Sequence, residues 1–201
     1  MKNTLRSLLS FLLLVSAVAC VNADELAIGA KAPGFALTNA VDGKSIRFAP
    51  GDGKVSVVVF TCNQCPYAKA FEPRIIALGA EYAKRGVTFY AVDPNDDAQY
   101  AIESMGEMKA RATSRGYPFP YLTDGDSAVA RAYGARVTPH VFVVDGKGVV
   151  RYRGYVDDSA KPEERQNTGL TDALDALLAG KEVAKSATRA FGCSIKFKPA
   201  A

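Results

Sequence analysis

The sequence predicts an α/β fold in which a mixed central β-sheet is flanked by helices. Three observations carry that prediction. Residues 54–60 (KVSVVVF) form a near-continuous β-branched run, the pattern of a strand covered on both faces. Strand-like runs then alternate with segments of helical spacing, which implies parallel pairing. Finally, His140 to Val144 and Val149 to Tyr155 flank Asp145-Gly146-Lys147-Gly148, a hairpin signal that adds antiparallel strands to the sheet.

The elements follow in order. Lys44 to Phe48 reads as a strand, and Pro50-Gly51-Asp52-Gly53 is the turn before Val55 to Phe60. Cys62 to Arg85 reads as a helix. Phe71, Ile75, Ile76, Leu78 and Tyr82 recur at helical spacing, Pro73 should kink it and Gly86 ends it. Lys69 and Glu72 fall on its solvated face, while Tyr67 reads as core or groove wall. Val87 to Val92 (VTFYAV) is the next strand. Asp93 to Asp97 begins like a calcium loop, but the sixth position is Ala98 rather than glycine, so it reads as a turn. Gln99 to Arg115 is a second helix ended by Gly116, and Phe119 to Leu122 a short strand. Ser127 suits the N-cap of a helix reaching Tyr133. After the hairpin, Asp157-Asp158 order the loop, and Thr168 to Leu178 is a last amphipathic helix stopped by Gly180.

The chain has 201 residues, and its start has the three parts of a secretory signal. Lys2 and Arg6 are followed by an apolar stretch, Leu8 to Ala19, too short for a comfortable membrane span. Val21-Asn22-Ala23 fits a cleavage site, so residues 1–23 are expected to be a signal peptide and 24–201 a single domain. A competing reading takes Ala17-Val18-Ala19-Cys20 as a lipoprotein signal, with Cys20 acylated and the protein held at a membrane by that lipid alone. Either reading places the protein in the periplasm or outside the cell. Residues 1–23 hold two of the 25 basic residues and none of the 21 acidic ones, so the remainder carries a formal +2. That balance argues neither for nucleic acid nor for an anionic membrane, so neither is expected as a partner.

Of four cysteines, Cys62, Cys65 and Cys193 remain beyond residue 23. A disulfide framework would use pairs and suit a smaller chain, so reactive thiols are expected instead. Cys62-Asn63-Gln64-Cys65 lies between a strand and a helix. That placement puts Cys62 at the helix N-terminus, where unpaired N–H groups and the helix dipole lower a thiol's pKa below its free value. Cys62 is then the nucleophile, and Cys65, one turn later, the resolving thiol. Pro66 sits in the first turn, where its missing N–H costs little. A Cys₃His zinc site would need Cys193 and His140 as further ligands, and a copper site would need wider cysteine spacing, so no metal and no cofactor are expected. His140 reads as a strand residue rather than a base.

These motifs resemble the thioredoxin superfamily, and within it the AhpC/TSA-type, peroxiredoxin-like redoxins. CNQCPYAKA, TPHVFVVD, YRGYVDD and GCSIK match that branch, as does the APGFAL opening at Ala32 to Leu37, so the likeness runs from about residue 30 to residue 198. The resemblance implies a thioredoxin-like fold, a cis proline at Pro139, and a substrate groove formed by Thr138 and Pro139 against the disulfide. It also suggests Cys193 as a third redox thiol. The implied activity is thiol–disulfide exchange with protein or small-molecule thiols and disulfides and with a redox partner protein. A thiol peroxidase or a copper- or zinc-binding module is the alternative. Departures exist. Measured back from Cys62, the Pro-x-x-x-Thr-x-x-Cys pattern of peroxidases meets Val59 and Val55; from Cys65 it meets Cys62 and Val58. Thr61 replaces the tryptophan of thioredoxins, and residues 55–60 carry no buried acid to move the Cys65 proton.

Overall fold

The structure, a computed structural model, describes residues 24–199. The signal segment and Cys20 lie outside the described residues. In chain order the strands and helices are β1 (Phe35–Asn39), β2 (Ser45–Phe48), β3 (Ser56–Phe60), α1 (Pro66–Ala83), β4 (Thr88–Asp93), α2 (Met105–Arg115), β5 (Tyr121–Thr123), α3 (Ala128–Tyr133), β6 (Val137–Thr138), β7 (His140–Val144), β8 (Val150–Gly154), α4 (Gly169–Leu178) and β9 (Cys193–Ser194). A seven-stranded sheet runs β2-β1-β5-β4-β3-β7-β8, and β6 pairs with β9 in a second, two-stranded sheet. β3, β4 and β5 are parallel neighbours; all other pairs are antiparallel. The mixed sheet expected from the sequence is therefore present.

β3 is buried along its whole length. Val57 and Val59 enter a core shared with Phe71 and Ile75 of α1, Met108 of α2 and Leu170 and Leu174 of α4. Val58 and Phe60 enter the opposite core with Ala130 and Tyr133 of α3, Phe35 and Phe142. Two apolar faces on one strand explain the unbroken β-branched run, since each alternate residue has its own core to fill.

Several elements differ from the sequence reading. β1 has no counterpart among the strands expected from the sequence, because it alternates buried and exposed residues only weakly. α1 begins at Pro66, not Cys62, and passes through Pro73 to Ala83. The second predicted helix is two pieces, a single 3₁₀ turn at Ala101–Glu103 and then α2, divided at Ser104 in extended conformation. Ser127 does not cap α3. It has a left-handed φ of 56° and its hydroxyl donates to the Pro94 carbonyl at 2.7 Å. The capping role falls to Asp124, which accepts the N–H groups of Val129 at 3.2 Å and Ala130 at 2.8 Å. Glu72 is buried rather than solvated, held by Arg111 at 2.7 Å and the Tyr117 hydroxyl at 2.7 Å. Tyr67 is exposed, edge-on to Phe191. Asp157 pairs with Arg74 at 2.6 Å and Asp158 accepts the N–H groups of Gln166 and Asn167, so these two do order the loop after β8.

Candidate active site

Strand register assembles the site. Phe60 at the end of β3 pairs antiparallel with His140 at the start of β7. Continuing that ladder two residues outward places Cys62 opposite Thr138. Thr138 in turn pairs with Cys193 of β9. On the other side of β3, Phe60 pairs in parallel with Val92, and the Thr61 N–H donates to the Val92 carbonyl at 2.9 Å. Asp93 therefore follows at the same end of the sheet, where the carboxyl ends of parallel strands open into a crevice. The pairing of four strands thus brings Cys193 to the CxxC pair, from which it is far removed in sequence.

The Thr138–Pro139 peptide is cis, as the resemblance implied. Thr138 touches both thiols of the motif: its hydroxyl lies 3.2 Å from Cys62 Sγ, and its carbonyl accepts from Cys65 Sγ at 3.2 Å. Cys65, not Cys62, is the N-cap of α1, and its sulfur accepts the Ala68 N–H at 3.4 Å. Both thiols are buried, Cys62 at 3% exposure and Cys65 at 1%. Cys193 is half-buried and packs against the two of them with Ala68. Its backbone comes this close because Gly192 precedes it with a φ of +155°; a Cβ there would stand 2.0 Å from the Thr138 carbonyl oxygen.

The charge pattern reverses the one expected from spacing. Cys65 is pushed down to about 4, chiefly by the Cys62 thiol donating to it, with the Cys193 thiol and the Ala68 N–H adding and burial opposing. Cys62 is pushed up rather than down. Its S–H serves Cys65, burial disfavours its charge, and Glu103 and Asp93 add like-charge repulsion. Cys193 rises to about 11 through burial and through donating to Cys65. The pair thus titrates as one unit whose first negative charge rests on Cys65. As a thiol, Cys65 donates to the Thr138 carbonyl; as a thiolate, it collects donors instead.

The acidic groups around the motif were missed in the sequence. Glu103, 2% exposed, accepts the N–H of Asn63 at 2.7 Å, that of Gln64 at 3.2 Å and the Asn95 side-chain amide at 3.1 Å. The Asn63 side chain donates to the Ile102 carbonyl at 2.7 Å and accepts from the Tyr121 hydroxyl at 3.1 Å. Tyr121 also reaches Asp93 at 3.2 Å. Asp93, 2% exposed, is pushed well above the usual carboxylate range by burial first and by Glu103 second. An acid closing the strand next to the motif-bearing one was the signal that could have found Asp93. Nothing local marks Glu103, which reaches the motif across 39 and 40 residues.

Glu103 also explains why α1 starts late. The N–H groups of Asn63 and Gln64 are spent on a side chain and not on a helical turn, and Pro66 then supplies the first helical position. His140 is fully buried with its ring 4.6 Å from that of Phe142 and neither ring nitrogen hydrogen-bonded. Burial, with Arg153 and Arg136 adding, pushes it down to about 4. Among the described residues no group of three or more His, Cys, Asp or Glu side chains is arranged to hold a metal ion.

The AhpC/TSA family model matches residues 28–153, more than half of the chain. The chain belongs to the AhpC/TSA family. Within this family's thioredoxin-like fold, it is similar over nearly its whole length to two solved proteins without assigned activity. An uncharacterized conserved protein from Geobacillus kaustophilus is 40% identical, with a TM-score of 0.82 over 87% of this chain and 94% of that one. A hypothetical protein from Sinorhizobium meliloti is 30% identical, with a TM-score of 0.80 over 88% of this chain and 98% of that one. The thiol:disulfide interchange protein DsbE of Pseudomonas aeruginosa is 26% identical over 143 residues, 68% of this chain and 72% of that protein. This AhpC/TSA chain thus carries the CxxC pair and the cis proline loop together at one end of its sheet.

Proposed function

We propose that the protein is a thiol–disulfide oxidoreductase working outside the cytoplasm, with Cys62 as nucleophile and Cys65 as resolving thiol. The observation that carries this reading is the shared partner: both thiols lie 3.2 Å from Thr138, on the loop of the cis proline. Cys65 is enclosed by Cys62, Cys193, the Ala68 N–H and the Thr138 carbonyl, which leaves Cys62 as the less enclosed of the two buried sulfurs and the one to attack a substrate. The Cys65 thiolate takes the Cys62 proton, and the Cys62 thiolate attacks one sulfur of a substrate disulfide. The other substrate sulfur leaves as thiolate. Cys65, its proton returned to that leaving group, then attacks Cys62 Sγ and releases the second substrate sulfur. The substrate gains two electrons and the protein ends as a Cys62–Cys65 disulfide, to be reduced again by a partner protein.

Thr138 and Pro139 form the groove wall that presents the substrate to Cys62. Among the described residues, Tyr67, Ile102 and Met105 are the large hydrophobics left exposed, and Tyr67 and Ile102 stand next to the motif, which supports protein substrates. Cys193 is a third redox thiol: once the Cys62–Cys65 disulfide has formed, the Cys193 thiolate can attack Cys65 Sγ, forming a Cys65–Cys193 disulfide and releasing Cys62 as thiolate, with no net oxidation. The similarity to DsbE and the signal-like residues 1–23 support a periplasmic or secreted setting, with a lipid at Cys20 as the variant of it. No described helix is long and apolar enough to cross a membrane.

The test is insulin reduction with dithiothreitol as electron source. Cys62→Ser should abolish it, and Cys65→Ser should trap a mixed disulfide at Cys62. Full activity in Cys62→Ser would refute the reading. The family match keeps a peroxidase reading in view, but a peroxidatic thiol must ionise readily, and here two acids stand beside Cys62. Hydrogen peroxide should therefore leave little sulfenic acid on Cys62.

A further inference from the structure

Resting on that reading, we propose that Glu103 is a positioning residue that keeps Cys62 protonated in the reduced protein and makes the couple more reducing than its loop alone would be. The geometry acts in two ways. The first is competition for donors. The N–H groups of the residues after a strand-end cysteine are free in an ordinary CxxC loop and stabilise the thiolate. Here both intervening N–H groups, those of Asn63 and Gln64, donate to the Glu103 carboxylate at 2.7 and 3.2 Å. The second is charge. Glu103 places a carboxylate directly behind Asn63, in a region where Cys62, Asn63, Asp93, Glu103 and Tyr121 are all 3% exposed or less. Like-charge repulsion is strongly felt in so dry a setting.

Asp93 lies beside Glu103, and its carboxyl is pushed well above the usual carboxylate range by burial first and by Glu103 second. The titratable groups facing Cys62 are Cys65 on its own loop, Asp93 at the end of β4, Glu103 on the 3₁₀ turn and Tyr121 on β5. Cys193 of β9 faces Cys65 from the other side.

The consequence for electron flow follows from which form is charged. The disulfide is neutral and indifferent to Glu103. Ionisation of Cys62 would stabilise the reduced form, and Glu103 withholds that stabilisation by holding Cys62 as the thiol. Disulfide plus two electrons and two protons gives the dithiol, so a charge that disfavours the thiolate moves the equilibrium toward the disulfide. The protein then gives electrons more readily.

The experiment compares wild type, Glu103→Gln and Glu103→Asp in the purified protein. Each is equilibrated with defined glutathione buffers, and Cys62 alkylation is followed against pH by peptide mass. Removing the charge should shift the equilibrium toward the dithiol by about tenfold, which for a two-electron couple is about 30 mV less negative. The Cys62 alkylation step should fall in pH with it. Glu103→Asp keeps the charge and should shift the equilibrium less than half as far on a logarithmic scale. In wild type, the Cys62 step should lie above that of a free thiol, about 8.5. Three results would overturn the proposal: a shift below threefold in Glu103→Gln, an equal shift in Glu103→Asp, or a wild-type Cys62 step below the free-thiol value. Absence of any reversible Cys62–Cys65 disulfide in wild type would refute the oxidoreductase reading instead, and the alkylation profile would still decide the role of Glu103.

Discussion

His140→Leu should make the protein resist mild acid. The wild-type imidazole is fully buried, lacks a hydrogen-bond partner on either nitrogen, and is pushed down to about 4 by burial and by Arg153 and Arg136. In the unfolded chain it titrates near its ordinary 6.5. The folded state therefore holds neutral histidine while the unfolded state takes up a proton. Stability is intact above pH 6.5 and is lost as pH falls from there toward 4. Each unit in that window costs about 1.4 kcal/mol, so between about pH 7.5 and about pH 4.5 the His140 contribution falls by roughly 2.5 kcal/mol. Other groups also titrate, notably Asp93, whose raised pKa acts in the opposite direction. The difference between wild type and His140→Leu removes them. Urea unfolding at the two pH values, monitored by tyrosine fluorescence and far-UV circular dichroism, measures it. Leucine leaves no buried nitrogen without a partner, so the variant should be no less stable near neutral pH. Equal pH dependence in the two proteins would refute the reasoning, because it would mean that His140 is hydrated or charged in the folded state.

Three further outcomes are expected. Asp157→Ala leaves the Arg74 guanidinium, 13% exposed, without its carboxylate, and should cost about 3–5 kcal/mol in urea unfolding. Gly192→Ala forces a methyl group into the Thr138 carbonyl; it should destabilise by about 1–3 kcal/mol and speed alkylation of Cys193 as β9 leaves β6. Phe71→Ala empties a fully buried ring site between α1 and the sheet, and thermal or urea unfolding should show a loss of about 3–5 kcal/mol, with the Cys62–Cys65 disulfide still able to form.

Which parts of the molecule could be read in advance follows the range of the interactions. The hairpin of β7 and β8 was legible because Asp145-Gly146-Lys147-Gly148 bends the chain over four residues, and Asp145 accepts the Lys147 and Val149 N–H groups locally at 2.9 Å each. β3 was legible because both its faces are apolar. The break at Ser104 was not, since the residues around it have helical spacing; the 3₁₀ turn is held by Glu103 reaching back to the CxxC loop. Ser127 has the composition of a cap, yet Asp124 won the position because its carboxylate reaches two N–H groups at once.

The sequence by itself determined the α/β class, the CxxC pair between strand and helix, and the Thr138-Pro139 loop. Each of these is written in residues close together along the chain, where periodicity and turn chemistry act. Tertiary structure decided which cysteine carries charge. The sequence placed Cys62 at the start of a helix; the fold gives that place to Cys65 and surrounds Cys62 with Glu103 and Asp93. Ionisation of a buried thiol depends on the donors and charges within a few ångströms of it, and here they arrive from three other strands and a 3₁₀ turn. No spacing within the motif encodes them.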